Sequence, residues 1–463
     1  MTSPNKKQLF ESIPVPKALA TMAIPTIISQ LINLVYNMVD AFFIGRTGNS
    51  FMMAATTLTL TLVMLNVAFS NLYGVGGGSL FARLMGQQKS DDARRVSAFS
   101  CWGAIGLALV YTLFIAIFQT QVLRFLGASE DTISYARQYA TLVIVIGSLP
   151  SILSLTLAHL LRNAGFASQA SIGLSTGGIL NMVLDPLFMF VILPRGMEVT
   201  GAALATLLSN IIACLYLIVA YKKAAGAAPL SMHFSDARSI SPVHIKSLYS
   251  VGIPSALLTG LFDAANICLN ILSAAHSDLV LAGMGIVMKV ERVPNAINIG
   301  ICQGMLPIVA YNYSSGNRKR MQETITTARF VGLTVSFISI LLLELFARPL
   351  TGLFLSTSAG NSETALITIG YAAIFLRIRA VASPVQFINY HTSFCLQAMG
   401  KGLQTMLHSV FRELVFYIPL MFLLDRLFGE KGLAAALPAG ETCGAIFALL
   451  LLYSVLKKEP SRT

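Results

Sequence analysis

The sequence predicts an all-α polytopic membrane protein, with twelve transmembrane helices in two six-helix bundles related by a pseudo-twofold axis along the membrane normal. Three observations lead there. Hydrophobic residues make up 55% of the 463 and charged residues 11%, whereas a soluble domain carries about 25% charged residues. The chain divides into segments that reach the ~20 apolar residues a helix needs to cross hydrocarbon. The two halves also repeat the same anchors at offsets between 227 and 233 residues: Pro25 and Pro254, Asn71 and Asn298, Gly77 and Gly304, Tyr139 and Tyr371, Pro186 and Pro419, Gly201 and Gly432. Six matches in one order at nearly one offset mark an internal duplication, a signature of transporters.

The spans read 17–44, 51–82, 96–121, 133–160, 170–193, 199–221, 246–275, 279–312, 325–347, 364–397, 403–428 and 432–456. Backbone groups in lipid must be satisfied internally, so each is a helix; the alternating pattern of a membrane barrel is absent. The first span is too long for a signal-peptide core and is expected to remain as an uncleaved anchor. The second carries GVGGG at 74–78. No strand precedes it, so close helix packing is expected there and not phosphate binding. The longest connection, 222–245, is rich in Ala, Ser and charge. It is the expected linker between an N-terminal bundle (1–221) and a C-terminal bundle (246–463). Six spans per half is an even number, so both halves enter the membrane the same way up and the axis lies along the normal.

Most of the 32 Lys and Arg fall on one side: Lys6, Lys7 and Lys17, Arg83 to Arg95, Arg162, Lys222 to Lys246, Arg318 to Arg329, Lys401, and Lys457, Lys458 and Arg462. The other side carries Arg46, Arg124, Arg137, Arg195, Arg348, Arg426 and Lys431. The excess places both termini in the cytoplasm of a multi-pass protein of the bacterial inner membrane. A basic rim against anionic lipid accounts for the net charge of +12, with no nucleic acid involved. The six cysteines are scattered within spans and form no CxxC; His159, His276, His391 and His408 lack metal-ligand spacing; no GxxxxGK[ST] is present. These observations argue against a metal centre, a disulfide framework, a built-in ATPase and an enzyme. A monomer without cofactor is expected.

Ionisable residues inside spans are costly and face cavities or partners. Asn33, Tyr36 and Asp40 are spaced i, i+3, i+7 in the first span, and Asn181 and Asp185 are spaced i, i+4 in the fifth. Each set shares one helical face. Thr206 lies in the sixth span. Two carboxylates make poor glue between helices, because repulsion and desolvation disfavour ionising both. The pair suits a proton, or a Na⁺ bound by several oxygens at Asp40, Asn181, Asp185 and Thr206. The second half carries Asp263, Lys289, Glu291, Arg292, Glu344, Arg377, Arg379, Arg412, Glu413 and Glu441 in spans. Asp263, Glu291 and Glu413 are possible second polar sites there. Arg412 and Glu413 are adjacent and on a helix do not face each other.

The motifs IPTIISQLINLVYNMVDAFFIGRTG at 24–48, ILNMVLDPLF at 179–188, GAALATLLS at 201–209, QGMLPIVAYNYSSGN at 303–317 and FRELVFYIPL at 411–420 resemble those of multidrug and toxic compound extrusion (MATE) transporters, over nearly the whole chain. The resemblance implies two bundles around a central cavity and export of amphipathic, often cationic compounds in exchange for H⁺ or Na⁺ by alternating access. It implies a cation-coupling site of Asp40 with Tyr139, Asn181, Asp185 and Thr206, and a helix bend at Pro25. Relatives that use a second-half site carry an acid in the tenth span; here that span has Arg377 and Arg379, which favours the first-half site. Glu413 stands where glutamine is common, and Glu441 where aspartate is common. A flippase for a lipid-linked or anionic amphipathic substrate is the alternative. It would draw on Lys289, Arg292, Arg377, Arg379 and Arg412 lining the cavity.

Overall fold

The computed structural model describes residues 6–353 and 363–458. Arg462 of the basic tail lies outside the described residues. Among the described residues nine helices are long and apolar enough to cross a membrane: Val15–Arg46, Ser50–Gly86, Ser90–Phe125, Ala167–Ile192, Glu198–Ala224, Pro242–His276, Asp278–Ser314, Arg318–Leu345 and Gly402–Lys457. Two bent pairs, Glu130–Ile146 with Ser148–Asn163 and Glu363–Ala380 with Ser383–Ala398, make the fourth and tenth spans. The run Gly402–Lys457 breaks at Gly429, whose φ of 62° and ψ of −146° suit glycine alone. At ~1.5 Å per residue its length is far more than one membrane thickness, so it forms spans eleven and twelve. The twelve expected spans are therefore all present among the described residues, most of them longer at their ends than hydropathy predicts.

The duplication is visible in local geometry. Span four bends by 48° and span ten by 52°. Each bend precedes a proline, Pro150 or Pro384, near the start of the next helical segment. A proline has no N–H to donate and disfavours helical geometry in the residue before it. Gly165 and Gly400, at φ +86° and +74°, turn the chain out of the same two spans. Gly201 and Gly432 sit where spans five and six, and eleven and twelve, turn tightly. A Cβ on Gly201 would lie 2.9 Å from the Met189 backbone, and one on Gly432 would strike the Leu424 carbonyl.

GVGGG is a packing device. A Cβ on Gly74 would meet His159 at 2.8 Å and one on Gly76 the Leu248 carbonyl at 2.6 Å; Gly77 abuts Ser100 and Gly78 abuts Asn163. Four glycines thus admit the third, fourth and seventh spans against the second. The crossing of spans two and seven at Gly76 and Gly252 has its duplicate in the crossing of spans eight and one. There a Cβ on Gly304 would lie 2.7 Å from the Ala23 backbone, and one on Gly300 2.9 Å from that of Ile27. Pro25 falls inside this second crossing. Overpacking such a contact costs about 1–3 kcal/mol. Gly76→Val is expected to loosen amides 72–86 and 246–254 to hydrogen exchange. Gly285→Val, where the added Cβ meets nothing within 4 Å, should leave them unchanged.

The halves meet at the end where the Lys and Arg excess lies. Tyr73 and Tyr249 hydroxyls are 3.0 Å apart, Ser79 donates to the Gln397 carbonyl at 2.5 Å, and Arg83 donates to Ser247 at 3.4 Å. A short helix, Lys6–Glu11, lies across this end. Phe10 stacks on Tyr311 at 5.1 Å, Tyr311 donates to Glu11, and Arg320 donates to the carbonyls of Leu9, Phe10 and Ile13. The inter-half bond farthest from this end, Asn71 to Thr259 at 3.2 Å, sits at the midpoint of its spans. The halves are thus sealed at the basic end, and these bonds leave their other ends unjoined.

The segment 222–245 docks on the first half. It carries a short helix, Phe234–Arg238. Trp102 donates to the Met232 carbonyl at 3.0 Å, and Asp236 accepts from Ser231 and, at 2.9 Å, from Arg94. The Ser231 hydroxyl, then Arg94, hold the Asp236 carboxyl below its usual range. A lowered folded value adds stability above the unfolded value of about 3.9, and that stability is lost as pH falls through the folded value. Hydrogen exchange at amides 231–238 is expected to quicken below about pH 4 and to be flat between neutral and mildly acidic pH.

Candidate functional site

The fifth span builds the first-half site by its glycines. A Cβ on Gly173 would meet Leu217 at 2.6 Å and one on Gly177 Ala213 at 3.0 Å, so small residues four apart seat the sixth span. Gly178 opens the other face, where Tyr36 of the first span lies 3.3 Å from the Cβ position. Ser29 and Ser171 hydroxyls, 3.4 Å apart, tie the same two spans nearer the basic end. With the spans so placed, Asn181 donates to Asp185 Oδ1 at 3.2 Å and to Thr206 Oγ1 at 3.2 Å. Asp40 and Asp185 lie within electrostatic reach of each other, and both within reach of Tyr36. Tyr139 of the fourth span closes the group beside Thr206. Asp185 and Asn181 are buried. Asp40, Tyr139, Asn181, Asp185 and Thr206 therefore come together. Asn33 does not join them; it is exposed.

Acceptors outnumber donors here. Asp40 Oδ1, Asp185 Oδ2 and Asn181 Oδ1 are buried and have no hydrogen-bond partner among the described residues. Unsatisfied buried acceptors are rare and costly. Three in one group fit a proton on a carboxyl, or a small monovalent cation taking oxygen ligands. Asp40, Tyr139, Asp185 and Thr206 each stand within nine residues of their span's end on the side away from the basic end. At ~1.5 Å per residue that puts the site at one depth, about 14 Å or less from that end. Single π-helical stretches follow Tyr139 (Thr141–Ile146) and Asp185 (Phe188–Ile192). Pro186 removes an N–H beside the second. Such bulges re-aim side chains and cluster at functional sites.

The second half holds a separate buried network. Arg412 donates to Glu441 through Nε (2.9 Å) and Nη2 (2.5 Å). Asn389 donates to Glu441 at 2.6 Å, His408 bonds Asn389 at 3.0 Å and Ser393 at 2.8 Å, and Tyr390 lies under the guanidinium at 4.8 Å. Arg412 Nη1 also comes within 3.6 Å of Glu413. This corrects the expectation that these neighbours cannot meet. Residues Phe411–Tyr417 are π-helical, and two long side chains on the distorted turn reach each other. Glu291 pairs with Arg379 at 2.9–3.2 Å. Asp263 has Arg292 within electrostatic reach. Arg377 lies 3.7 Å from Glu344, and Lys289 is exposed. The second-half charges thus largely satisfy one another, whereas the first-half acceptors do not.

Between the halves, toward the basic end, lies a cavity of about 170 Å³. Its walls are Val75, Leu258, Ile299, Leu306, Tyr390 and Phe394, and its polar groups are Asn71, His159, Arg162, Asn163, Ser255, Thr259, Gln303 and Gln397. No Asp or Glu is among them. Arg162 was expected in a loop; it sits in the last turn of the fourth span and is buried. The repeat held the missing signal, since Arg162-x-x-Gly165 answers Gln397-x-x-Gly400 and both polar residues reach the cavity.

The comparisons agree with this architecture. Multidrug export protein MepA of Staphylococcus saprophyticus is 27% identical over 445 residues, 96% of this chain and 95% of the relative. The protein of that name in Staphylococcus haemolyticus is 29% identical over 448 residues, with the same coverage. Two solved structures share the fold. A MATE protein in complex with MaL6 has a TM-score of 0.91, with 23% identity over 99% of this chain and all of the other. An outward-facing multidrug resistance MATE family transporter of the MOP superfamily has a TM-score of 0.90 with the same identity and coverage. The MatE family profile matches twice, over residues 25–187 and 254–423, once in each repeat. Matching most of the chain in both of its halves, the profile shows that this polytopic membrane protein belongs to the MatE family.

Proposed function

We propose that the chain is a transporter, not an enzyme, and works as a secondary active antiporter. It exports amphipathic small molecules from the cytoplasm by alternating access, in exchange for H⁺ or Na⁺ and with no cofactor. The observation that carries this reading is the group of three unpartnered buried acceptors on Asp40, Asn181 and Asp185. With Tyr139 and Thr206 they form a cation-coupling site at the depth reached from outside. The seal at the basic end supports a conformation open to the exterior, in which a coupling ion enters that site. Ion and substrate each weaken the other's binding by the same factor, so the gradient of one drives out the other. Pro25, in the crossing of spans one and eight, is placed to bend the first span as the site fills. The names of the MepA relatives support multidrug export. The Lys and Arg asymmetry supports an inner-membrane protein with both termini cytoplasmic, and the enclosure of the cavity by one chain supports a monomer. The cations on which a flippase for a lipid-linked or anionic amphipathic substrate would draw, Lys289, Arg292, Arg377, Arg379 and Arg412, do not line the cavity, which favours the exporter reading.

Dye efflux from everted vesicles under imposed ΔpH or Na⁺ gradients tests the reading. Efflux that tracks one gradient and stops with an ionophore is expected. Efflux indifferent to both gradients would overturn it.

A further inference from the structure

The central cavity holds a charge that nothing among the described residues answers. Arg162 is 4% exposed and lines the cavity. Its Nε has no hydrogen-bond partner, and no carboxylate lies within ion-pair distance of it among the described residues. An arginine stays protonated at neutral pH. A buried charge without a partner is among the most costly features a fold can hold. Asn163 spends its amide on the His159 carbonyl at 2.9 Å, and Gly74 and Gly78 leave room for His159 and Asn163 to pack there. The turn of span four that carries Arg162 is thus packed closely against span two.

We propose that Arg162 forms the floor of an anion subsite in the transport cavity, and that the exported compounds include amphiphiles carrying a carboxylate, with zwitterions preferred to simple cations. The inference rests on the exporter reading above and refines its substrate class. A fork of guanidinium donors matches a carboxylate, and Asn71, Gln303 and Gln397 line the same cavity with side-chain amides. Val75, Leu258, Ile299, Leu306 and Phe394 supply apolar walls above. A full drug-sized pocket runs to about 300–1,000 Å³. A cavity of about 170 Å³ takes one end of such a ligand, the carboxylated end.

The test uses the purified full chain and a matched pair of xanthene dyes, one bearing a free carboxylate and the other its ethyl ester. Equilibrium binding is followed by fluorescence anisotropy. The chain is expected to bind the free acid at least about tenfold more tightly than the ester, the scale of one charge-assisted contact. Arg162→Gln should erase that difference while holding ester affinity within about twofold, and Arg162→Lys should keep part of it. If Arg162→Gln proves unstable, the unaltered protein decides alone. Equal affinity for acid and ester would overturn the subsite and leave the exporter reading standing. Binding of neither dye would overturn both. Equal losses for the two dyes in Arg162→Gln would make Arg162 a structural residue and overturn the subsite.

Discussion

Asp40→Asn is expected to abolish gradient-driven efflux and to leave equilibrium substrate binding within a few fold. The amide has the shape of the protonated acid and cannot take a charge, so the site is fixed in one of its two states. The central cavity does not include Asp40, so the substrate still finds its walls. A membrane potential supplies ~2.3 kcal/mol per charge per 100 mV, roughly fiftyfold in concentration. A chain that cannot exchange the ion loses all of that factor. Asp185→Asn should act alike, since Asp185 Oδ2 is one of the same unpartnered acceptors. Asp263→Asn should cost much less, because Asp263 has Arg292 for company. Dye efflux under an imposed gradient, measured beside equilibrium binding for the three variants, decides the matter. Normal uphill efflux by Asp40→Asn would remove the first-half site from the mechanism.

The fold was legible because its signals are redundant. Span length, the paired prolines and the paired glycines all specify one architecture, so an error at one end of a helix changes nothing. The first-half site was legible for a local reason: the i, i+4 spacing places Asn181 with Asp185 and Tyr36 near Asp40 whatever the rest of the chain does. What could not be read was partnership across distance. Arg412 meets Glu441 after 29 residues and Arg379 meets Glu291 after 88, and no spacing rule reaches so far. The π-helical stretches were equally hidden, since their sequences are ordinary apolar runs. Arg162 was misplaced because hydropathy ends a span where polar residues begin. Here the helix continues through Arg162 and Asn163 and buries both, Asn163 against Gly78 of span two.

Glu441→Gln is expected to destabilise the protein by about 3 kcal/mol or more, the scale for removing one partner of a buried ion pair, whereas Glu413→Gln should cost less, because it breaks no hydrogen bond to Arg412. Both glutamates are buried beside the same guanidinium, so burial alone cannot rank them. Geometry does. Glu441 takes two hydrogen bonds from Arg412 and another from Asn389, which in turn bonds His408, itself bonded to Ser393. Glu413 comes no nearer than 3.6 Å to Arg412, beyond hydrogen-bond distance. Neutralising Glu441 leaves a buried cation with one distant counter-charge and breaks a chain of polar contacts through spans ten, eleven and twelve. Neutralising Glu413 leaves the two-pronged pair intact. Replacing both partners of that pair, as Arg412→Leu with Glu441→Leu, should recover much of the loss, because the desolvation cost disappears with the charges. Thermal unfolding in detergent, read as a double-mutant cycle, measures all of these. A larger loss for Glu413→Gln than for Glu441→Gln would mean that the charge balance in the second half, and not the hydrogen-bonded pair, holds its core together.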